Sequence, residues 1–390
     1  MEGLLGQSVD RIGGEPISAR MARKAPIRHL DPTLLLASIL LSAYGALMIL
    51  SATEHRQELG LDPDLFLNRQ IAYIVVGVIL LLAFAIFDYR HLRGLAPLIY
   101  VGTIIALALV LSPLGELQGG ARRWINFGAF QAQPSEVAKI AVIIAVAAFL
   151  AERKGDLRAL DVIVACALIA VPSALIYLEP DLGTMMVFIA LAGSLLLIGG
   201  AKLRHIVALG AIGAVAVFAV FELGILEDYQ VDRITAFLDS SPDVRSEGYN
   251  LTQSKIAIAN GGISGTGLRQ ENTQTALDFV PEQHTDFIFT AVGEQVGLIG
   301  ASALLALFAL LIWRGLRIAA MSRDLFGTLL ASGIVALWSF QIFVNIGMTM
   351  GIMPITGIPL PFFSYGGSSL ITNFAAVGIL LNVHMRRLLS

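Results

Sequence analysis

The feature that most constrains this chain is a series of long apolar stretches that recur along almost its whole length. A helix that crosses a bilayer needs roughly 17–25 consecutive apolar residues. Ten stretches approach or meet that length, at Pro32–Ser51, Ile71–Phe87, Leu95–Ser112, Pro134–Ala151, Val162–Leu178, Leu182–Ala201, Ile206–Phe221, Phe287–Trp313, Leu325–Met350 and Gly366–Val383. Hydrocarbon offers no partner for backbone polar groups, and no stretch alternates as a strand would, so each is predicted to be an α-helix.

The composition agrees with this pattern and excludes a soluble protein. Charged residues make up 14% of the chain, against about 25% in soluble domains, and the mean hydropathy is +0.77. The fold class is therefore predicted to be all-α, a polytopic integral membrane protein with about ten transmembrane helices and one long extracytoplasmic loop. The only cysteine, Cys166, lies in the fifth stretch, so neither an intrachain disulfide nor a thiolate metal site is expected.

The positions of Lys and Arg predict the orientation of the bundle. Most of them fall in the N-terminal tail, at the C-terminal end and in alternate loops, which places both termini in the cytoplasm. Residues 1–31 are polar and lack an apolar signal core, so they are expected to form a disordered cytoplasmic tail before an uncleaved first span. Residues 32–385 are predicted to form a single transmembrane domain, with residues 224–285 as its long extracytoplasmic loop.

The long loop ends at an acidic residue, Asp286, at the point where the eighth apolar stretch begins. A carboxylate at the bilayer edge can act on a lipid-borne group and still reach water. The alternative is helix capping, because Thr285 and Asp286 are both good N-cap residues. His284 is a second titratable group beside them, and Glu294 follows two turns further along.

Basic side chains lie before and within the fourth stretch. Arg123, next to Trp124, is either an interfacial anchor or a guanidinium that forks onto phosphate oxygens. Lys139 follows Glu136 by three residues, so the two share a helix face about one turn into the membrane. A structural ion pair and a pair that faces a substrate cavity are both consistent with this spacing.

Three further outward segments have features of binding surfaces. In Glu179-Pro180-Asp181, the second acid is either a helix cap or a group that binds a cation or a sugar hydroxyl. Residues 249–260 predict a short helix that stops at two glycines and lies on or in the membrane. Residues 354–369 are uncharged and rich in Pro and Gly, which predicts a re-entrant turn; a rigid connector is the alternative.

Four of these segments, in this order, resemble the SEDS family of shape, elongation, division and sporulation proteins. They are Gly120–Lys139, Pro180–Thr184, Gln253–Gly267 with Asp278–Gly300, and Met353–Ser369. The resemblance covers nearly the whole chain from the first span onward. The tail before that span matches no family pattern.

The resemblance implies a peptidoglycan glycosyltransferase of the bacterial cytoplasmic (inner) membrane, active in cell wall biogenesis and cell shape. The expected substrate is lipid II, a disaccharide-pentapeptide on undecaprenyl diphosphate, and the expected partner is a class B penicillin-binding protein transpeptidase. Membrane lipids are further partners, and no nucleic acid is expected. By the same resemblance Asp286 is the catalytic carboxylate. The substrate-binding residues are expected to be Arg123, Trp124, Glu136, Lys139, Asp181, Gln253, Ser254, His284, Thr285, Glu294, Ser364, Gly366, Gly367 and Ser368.

Within the family, the details are more similar to the elongation branch, RodA, than to the division branch, FtsW. They are Thr273–Thr275 ahead of Phe279–Glu282, the run Gly357–Pro361, and the tail His384–Arg386. One departure is Gln295, which stands where many relatives have a second Glu.

The reaction that the resemblance implies needs few groups. A sugar 4-hydroxyl attacks an anomeric carbon that carries a diphosphate, with inversion, so one base is required and the leaving group needs cations. Asp286 is expected to be that base, with Arg123 and Lys139 on the diphosphate. No cofactor is implied except a divalent cation such as Mg²⁺ or Mn²⁺, for which Asp181 and Asp286 are candidate ligands.

The residues leave two other functions open. Membrane-embedded acids and outward segments interrupted by Gly and Pro also occur in transporters, so a lipid II flippase is an alternative. Against it, the two halves of the chain show no convincing repeat, and the charged residues gather on the outward side. The third hypothesis is an inactive scaffold that activates a partner enzyme.

Overall fold

The computed structural model describes residues 29–53, 64–118, 121–128, 130–153, 157–222, 247–270, 273–275, 277, 279 and 283–387. Residues 1–28 of the predicted disordered tail and residues 224–246 of the long loop thus lie outside the described residues, whereas Asp31 at the end of that tail is buried and forms an ion pair with Arg314. Within them are twelve helices and three short strands. The helices are α1 Pro32–Thr53, α2 Asp64–Ile86, α3 Tyr89–Leu111, α4 Pro134–Glu152, α5 Ala159–Leu178, α6 Leu182–Ile198, α7 Leu203–Glu222, α8 Glu247–Gly261, α9 Ile288–Gln295, α10 Gly297–Ala320, α11 Leu325–Met350 and α12 Gly367–Arg386. The strands are β1 Glu116–Gln118, β2 Ala121–Asn126 and β3 Gln131–Ala132.

The prediction of an all-α membrane protein is confirmed. Nine of the ten predicted spans coincide with one helix each, and eight of the described helices are long and apolar enough to cross a membrane. Two others, α6 and the apolar part of α7 at Leu203–Val215, are shorter. The sequence placed the starts of α2 and α3 too late, because polar residues occupy the first turns of both helices.

The helices differ in how much of their surface other helices cover. In α4 and α12, 83% and 94% of the apolar window is buried, so both lie at the centre of the bundle. In α2 and α3 the share is 22%, and side chains such as Leu98 (71% exposed) face outward, as expected for contact with lipid. Asn382 of α12 donates to the carbonyls of Phe84 and Ala85 (2.9 Å each) and thereby satisfies the C-terminal end of α2.

The eighth predicted span, Phe287–Trp313, is wrong as a single helix. It is divided into α9 and α10 at Gly297, whose φ of +68° favours glycine. The glycine-rich segment after α8 lies along this break. Its Thr266 N–H donates to Glu294 O (2.9 Å), and its Gly262 and Ile263 carbonyls accept from Leu298 (3.0 Å) and Ile299 (3.1 Å). The segment therefore satisfies backbone groups that a helix break would otherwise leave unpaired.

The short helix predicted at residues 249–260 is confirmed as α8, which ends at Gly261. The segment before α4 forms an antiparallel sheet in the order β1-β2-β3. This sheet carries Arg123 and Trp124 on β2. Arg123 therefore projects from a β-strand.

Candidate active site

Asp286 lies in the turn that leads into α9 and is half-buried. The N-cap position of α9 is held by Phe287, which makes no capping hydrogen bond with its side chain. Asp286 lies one residue before this N-cap position. Thr285, half-buried, precedes it in the same turn.

The carboxylate of Asp286 faces bare backbone from the segment between α11 and α12, residues 351–366. A Cβ built on Gly357 would lie 3.3 Å from Asp286 Oδ2, and Gly357 has a φ of +70°. The prediction that this Pro/Gly-rich run leaves the helical conformation is confirmed. The segment is fixed by its own contacts, since Ser364 Oγ accepts from Leu360 N–H at 2.8 Å.

Asp181 approaches the same segment from another side. It is the N-cap of α6, and its carboxylate accepts from Thr184 N–H (3.0 Å) and Thr184 Oγ1 (2.8 Å), so the capping interpretation is confirmed. Gly183, in the first turn, packs so closely on the carbonyl of Thr356 that a Cβ would overlap it. The first turn of α6 and the Asp286 carboxylate thus both lie against residues 356–358.

Arg123 fixes the turn that carries Asp181. Its Nε donates to Glu179 O at 2.9 Å, and its Nη2 donates to Pro180 O. The sequence indicated two acids and no base in this turn, but the fold brings a guanidinium onto its carbonyls from 56 residues away. A guanidinium has five N–H donors, so two bonds to this turn leave capacity for an anion. Trp124, the next residue of β2, is half-buried.

Glu179 lies in the same turn as Asp181 and was not among the expected substrate-binding residues. Its side chain is fully buried, and neither carboxylate oxygen has a hydrogen-bond partner among the described residues. Burial, and next the nearby Asp181, raise the pKa of Glu179 from 4.5 to about 8, against the opposing charge of Arg123. The signal in the sequence was the pair of acids in one tight turn.

The raised pKa of Glu179 predicts a pH-dependent stability. The folded chain keeps the proton that the unfolded chain releases above 4.5, so this group's contribution falls as the pH rises from 4.5 to about 8. We expect Glu179→Gln to raise the thermal unfolding temperature near pH 8, with little change near pH 5. Glu152→Gln, at an exposed carboxylate, is the matched control. An unchanged pH dependence in Glu179→Gln would contradict this assignment.

Glu136 and Lys139 form the ion pair that their spacing predicts. Lys139 Nζ donates to Glu136 Oε1 at 2.6 Å, and the two residues are only 2% and 3% exposed. The pair lies in the first turns of α4, one of the two central helices. Because a buried charge is costly unless it is paired, each side chain stabilises the other.

Several of the other expected substrate-binding residues make contacts that hold the fold together. Ser254 of α8 is buried and bridges Thr290 Oγ1 (2.6 Å) and Thr349 O (2.8 Å), while Gln253 is half-buried. The His284 ring packs on Phe66 with centroids 5.0 Å apart.

Glu294 is fully buried and organises the chain before Asp286. Its carboxylate accepts from Gln274 N–H (2.7 Å), Thr275 N–H (2.8 Å) and Thr275 Oγ1 (2.5 Å). Ser368 follows Gly366 and Gly367 in the first turn of α12 and contacts the segment around β3. Its Oγ accepts from Gln133 N–H (3.0 Å) and donates to Gln131 O (3.1 Å).

A metal centre made by protein side chains alone is not formed by the described residues. They contain no group of three or more His, Cys, Asp or Glu side chains that could hold an ion. Both oxygens of Asp181 already accept hydrogen bonds from Thr184. A divalent cation would therefore need most of its ligands from substrate phosphates and water, which is common for Mg²⁺.

One residue that the sequence analysis missed contacts the main chain of Asp286. Asn345 Nδ2 donates to Asp286 O and to Ile358 O, at 2.8 Å each. Its signal was an amide within a predicted membrane span, where polar side chains are rare and often functional.

Comparison with known proteins identifies relatives over nearly the whole chain. The model of the cell cycle protein family FtsW/RodA/SpoVE matches residues 32–388. Peptidoglycan glycosyltransferase MrdB of Escherichia coli (strain K12) is 39% identical over 92% of this chain and 94% of its own. A probable peptidoglycan glycosyltransferase FtsW of Geobacter metallireducens is also 39% identical, over 92% and 96%.

Solved structures show the same similarity in three dimensions. A chain from a peptidoglycan synthase complex that coordinates polymerization and crosslinking superposes with a TM-score of 0.78 at 32% identity, covering 93% of this chain and 99% of that one. Rod shape determining protein RodA of Thermus thermophilus gives 0.68 at 29% identity, covering 93% and 98%.

Proposed function

The chain belongs to the FtsW/RodA/SpoVE family of cell cycle proteins, and from this premise we propose that it is the peptidoglycan polymerase of cell-wall elongation. It is a peptidoglycan glycosyltransferase, as its relatives are named at 39% identity over 92% of the chain. In the proposed reaction, the growing glycan passes from its undecaprenyl diphosphate carrier to the 4-hydroxyl of lipid II. The observation that carries the proposal is the meeting of Asp286, the first turn of α6 and the 351–366 segment in one place.

Asp286 is the general base of the proposed mechanism. It removes the proton from the acceptor 4-hydroxyl as the oxygen attacks the anomeric carbon, and the α-linkage of the donor inverts to β. A half-buried carboxylate suits this role, and its Oδ2 lies beside the backbone of Gly357, which has no side chain to cover it. General-base assistance contributes about 10²–10⁴-fold to such a step.

In the proposed mechanism, cations rather than a general acid stabilise the negative charge of the diphosphate leaving group. Arg123 is fixed by two bonds to the Asp181 turn, so its remaining donors are held in place before the substrate arrives. Lys139 is the second candidate ligand of the diphosphate. In this role its ammonium group would leave Glu136 and bind a phosphate instead. A divalent cation on Asp181 and Asp286 is a further proposal. Full polymerisation in excess EDTA would exclude it, and loss restored by Mg²⁺ or Mn²⁺ would support it.

We also propose that a class B penicillin-binding protein transpeptidase is the partner. Support comes from the similarity to a chain of a complex that coordinates polymerization and crosslinking. Both termini are proposed to be cytoplasmic, with Asp286 on the outer side of the membrane, since most Lys and Arg residues lie in the opposite segments.

Division-type activity is the second candidate, because an FtsW relative is as similar in sequence as MrdB is, at 39% identity. Complementation separates the two: rescue of rod shape in a strain depleted of its elongation polymerase supports the elongation role. Rescue only of septation in a strain depleted of its division polymerase would replace it.

Reconstitution tests the activity itself. Purified protein, alone and with its transpeptidase partner, is given labelled lipid II, and the products are resolved by size. Long glycan supports the polymerase. Transfer of lipid II across sealed vesicles without polymer would favour the flippase, and neither product from a folded complex would favour the scaffold.

A further inference from the structure

Asn345 joins the two pieces of backbone that set the position of the Asp286 carboxylate. Its side-chain amide donates to Asp286 O, 59 residues away in the chain, and to Ile358 O, 13 residues away, at 2.8 Å each. Ile358 follows Gly357, whose backbone faces Asp286 Oδ2. One NH₂ group therefore links the main chain behind the carboxylate to the segment in front of it.

The chemistry of the bond limits which residue can serve here. A side-chain NH₂ offers two donors from one atom, so it can satisfy two carbonyls that converge on the same point. A hydroxyl offers one donor and an aliphatic side chain offers none. Asn is also a poor helix former in the interior of α11, and a buried amide within a membrane span is unfavourable unless it is bonded.

Asn345 is not optimised for stability alone. It is fully buried, yet its Oδ1 has no hydrogen-bond partner among the described residues. A residue that breaks local preferences and leaves an acceptor unsatisfied is expected at a functional site rather than in an ordinary core.

The neighbouring contacts support the same geometry. One turn further along α11, Thr349 O accepts from Ser254 Oγ, which also bonds Thr290 Oγ1 of α9. The last turns of α11 thus hold the start of α9 at two points, through Asn345 and through Ser254. Asn345 contacts both the residue that carries the carboxylate and the 351–366 segment.

We propose that Asn345 is a positioning residue for Asp286: it sets the distance between the carboxylate and the acceptor hydroxyl by tying Asp286 to Ile358. The inference rests on the proposed function, since it assigns a task within the same reaction. A displacement of about 1 Å at a reacting group can reduce the rate about 100-fold without loss of substrate binding. We therefore expect Asn345→Leu to lower kcat by about 10–100-fold while KM for lipid II changes by less than about threefold.

A matched control separates positioning from general loss of a buried amide. Asn373 of α12 is 3% exposed, accepts from Trp338 Nε1 (2.7 Å) and donates to Ser369 O (2.9 Å). Asn373→Leu should lower thermal stability as Asn345→Leu does, with kcat close to that of the wild type. Asn345→Asp, which has the same shape and at most one donor, serves as the second variant if the leucine variant does not fold.

A double-mutant cycle supplies the readout that a purely structural role would not affect. In Asp286→Glu the carboxylate is already displaced, so adding Asn345→Leu should reduce kcat less than it does in the wild-type background. If the effects of the two substitutions on kcat are fully additive, the inference is overturned. A wild-type kcat in Asn345→Leu would also overturn it, as would equal losses of kcat in Asn345→Leu and Asn373→Leu. Failure of both Asn345 variants to fold would overturn it as well. If the wild type makes no glycan, the proposed function itself fails. If the wild type makes glycan, Asp286→Asn does not, and Asn345→Leu is unimpaired, only the positioning role fails.

Discussion

Asp286→Asn is expected to lower glycan synthesis by about 10²–10⁴-fold and to leave the protein folded. The amide has the size of the carboxylate but cannot accept the proton of the acceptor hydroxyl. Asp286 lies one residue before the N-cap of α9, which is Phe287, and Asn is as good a helix-capping residue as Asp. The measurement is the amount of polymer formed from labelled lipid II at equal protein concentration, with the thermal unfolding temperature as the test of folding.

The matched control for this variant is Asp324→Asn. Asp324 caps α11 at the far end of the helix that carries Asn345, where it accepts from Gly327 N–H at 2.7 Å. Asn caps a helix about as well as Asp does, so this variant should make normal amounts of polymer. Equal polymer from wild type and Asp286→Asn would remove the base assignment, whereas equal losses in both variants would point to a general effect of changing a carboxylate.

Much of the architecture could be predicted from the sequence because the membrane restricts the choices. Ten apolar stretches predicted ten helices, and α8 and the non-helical 351–366 segment were predicted from Gly and Pro. The break at Gly297 could not be predicted in the same way. The apolar pattern runs on through it, and the partners of the broken ends come from residues 262–267.

The contacts between residues of the candidate site were harder to predict than the residues themselves. Asp181 and the Glu136–Lys139 pair depend on spacings of three residues, which a sequence displays directly. Arg123 on the Glu179 carbonyl, and Asn345 on that of Asp286, join a side chain to backbone 56 and 59 residues away. Backbone carbonyls have no signature in the sequence, so such bonds become apparent only once the helices are packed.

Lys139→Met is expected to destabilise the protein severely, by about 3–5 kcal/mol. The substitution leaves Glu136, which is 3% exposed, as a buried acid without its partner at 2.6 Å. Thermal unfolding in detergent, followed by size-exclusion profile, measures the effect. Val137→Ala is a control in the same turns of α4, because its side chain is 55% exposed and makes no part of the pair; it should unfold close to the wild-type temperature.

The double variant Glu136→Gln/Lys139→Met decides between the two interpretations that the spacing of the pair left open. Removing both charges should restore most of the stability, because no uncompensated charge remains in the protein interior. If Lys139 binds the diphosphate, the folded double variant should still make little polymer, because the ammonium group that stabilises the leaving group is absent. Recovery of both stability and polymer would identify the pair as structural and leave Arg123 as the proposed diphosphate ligand.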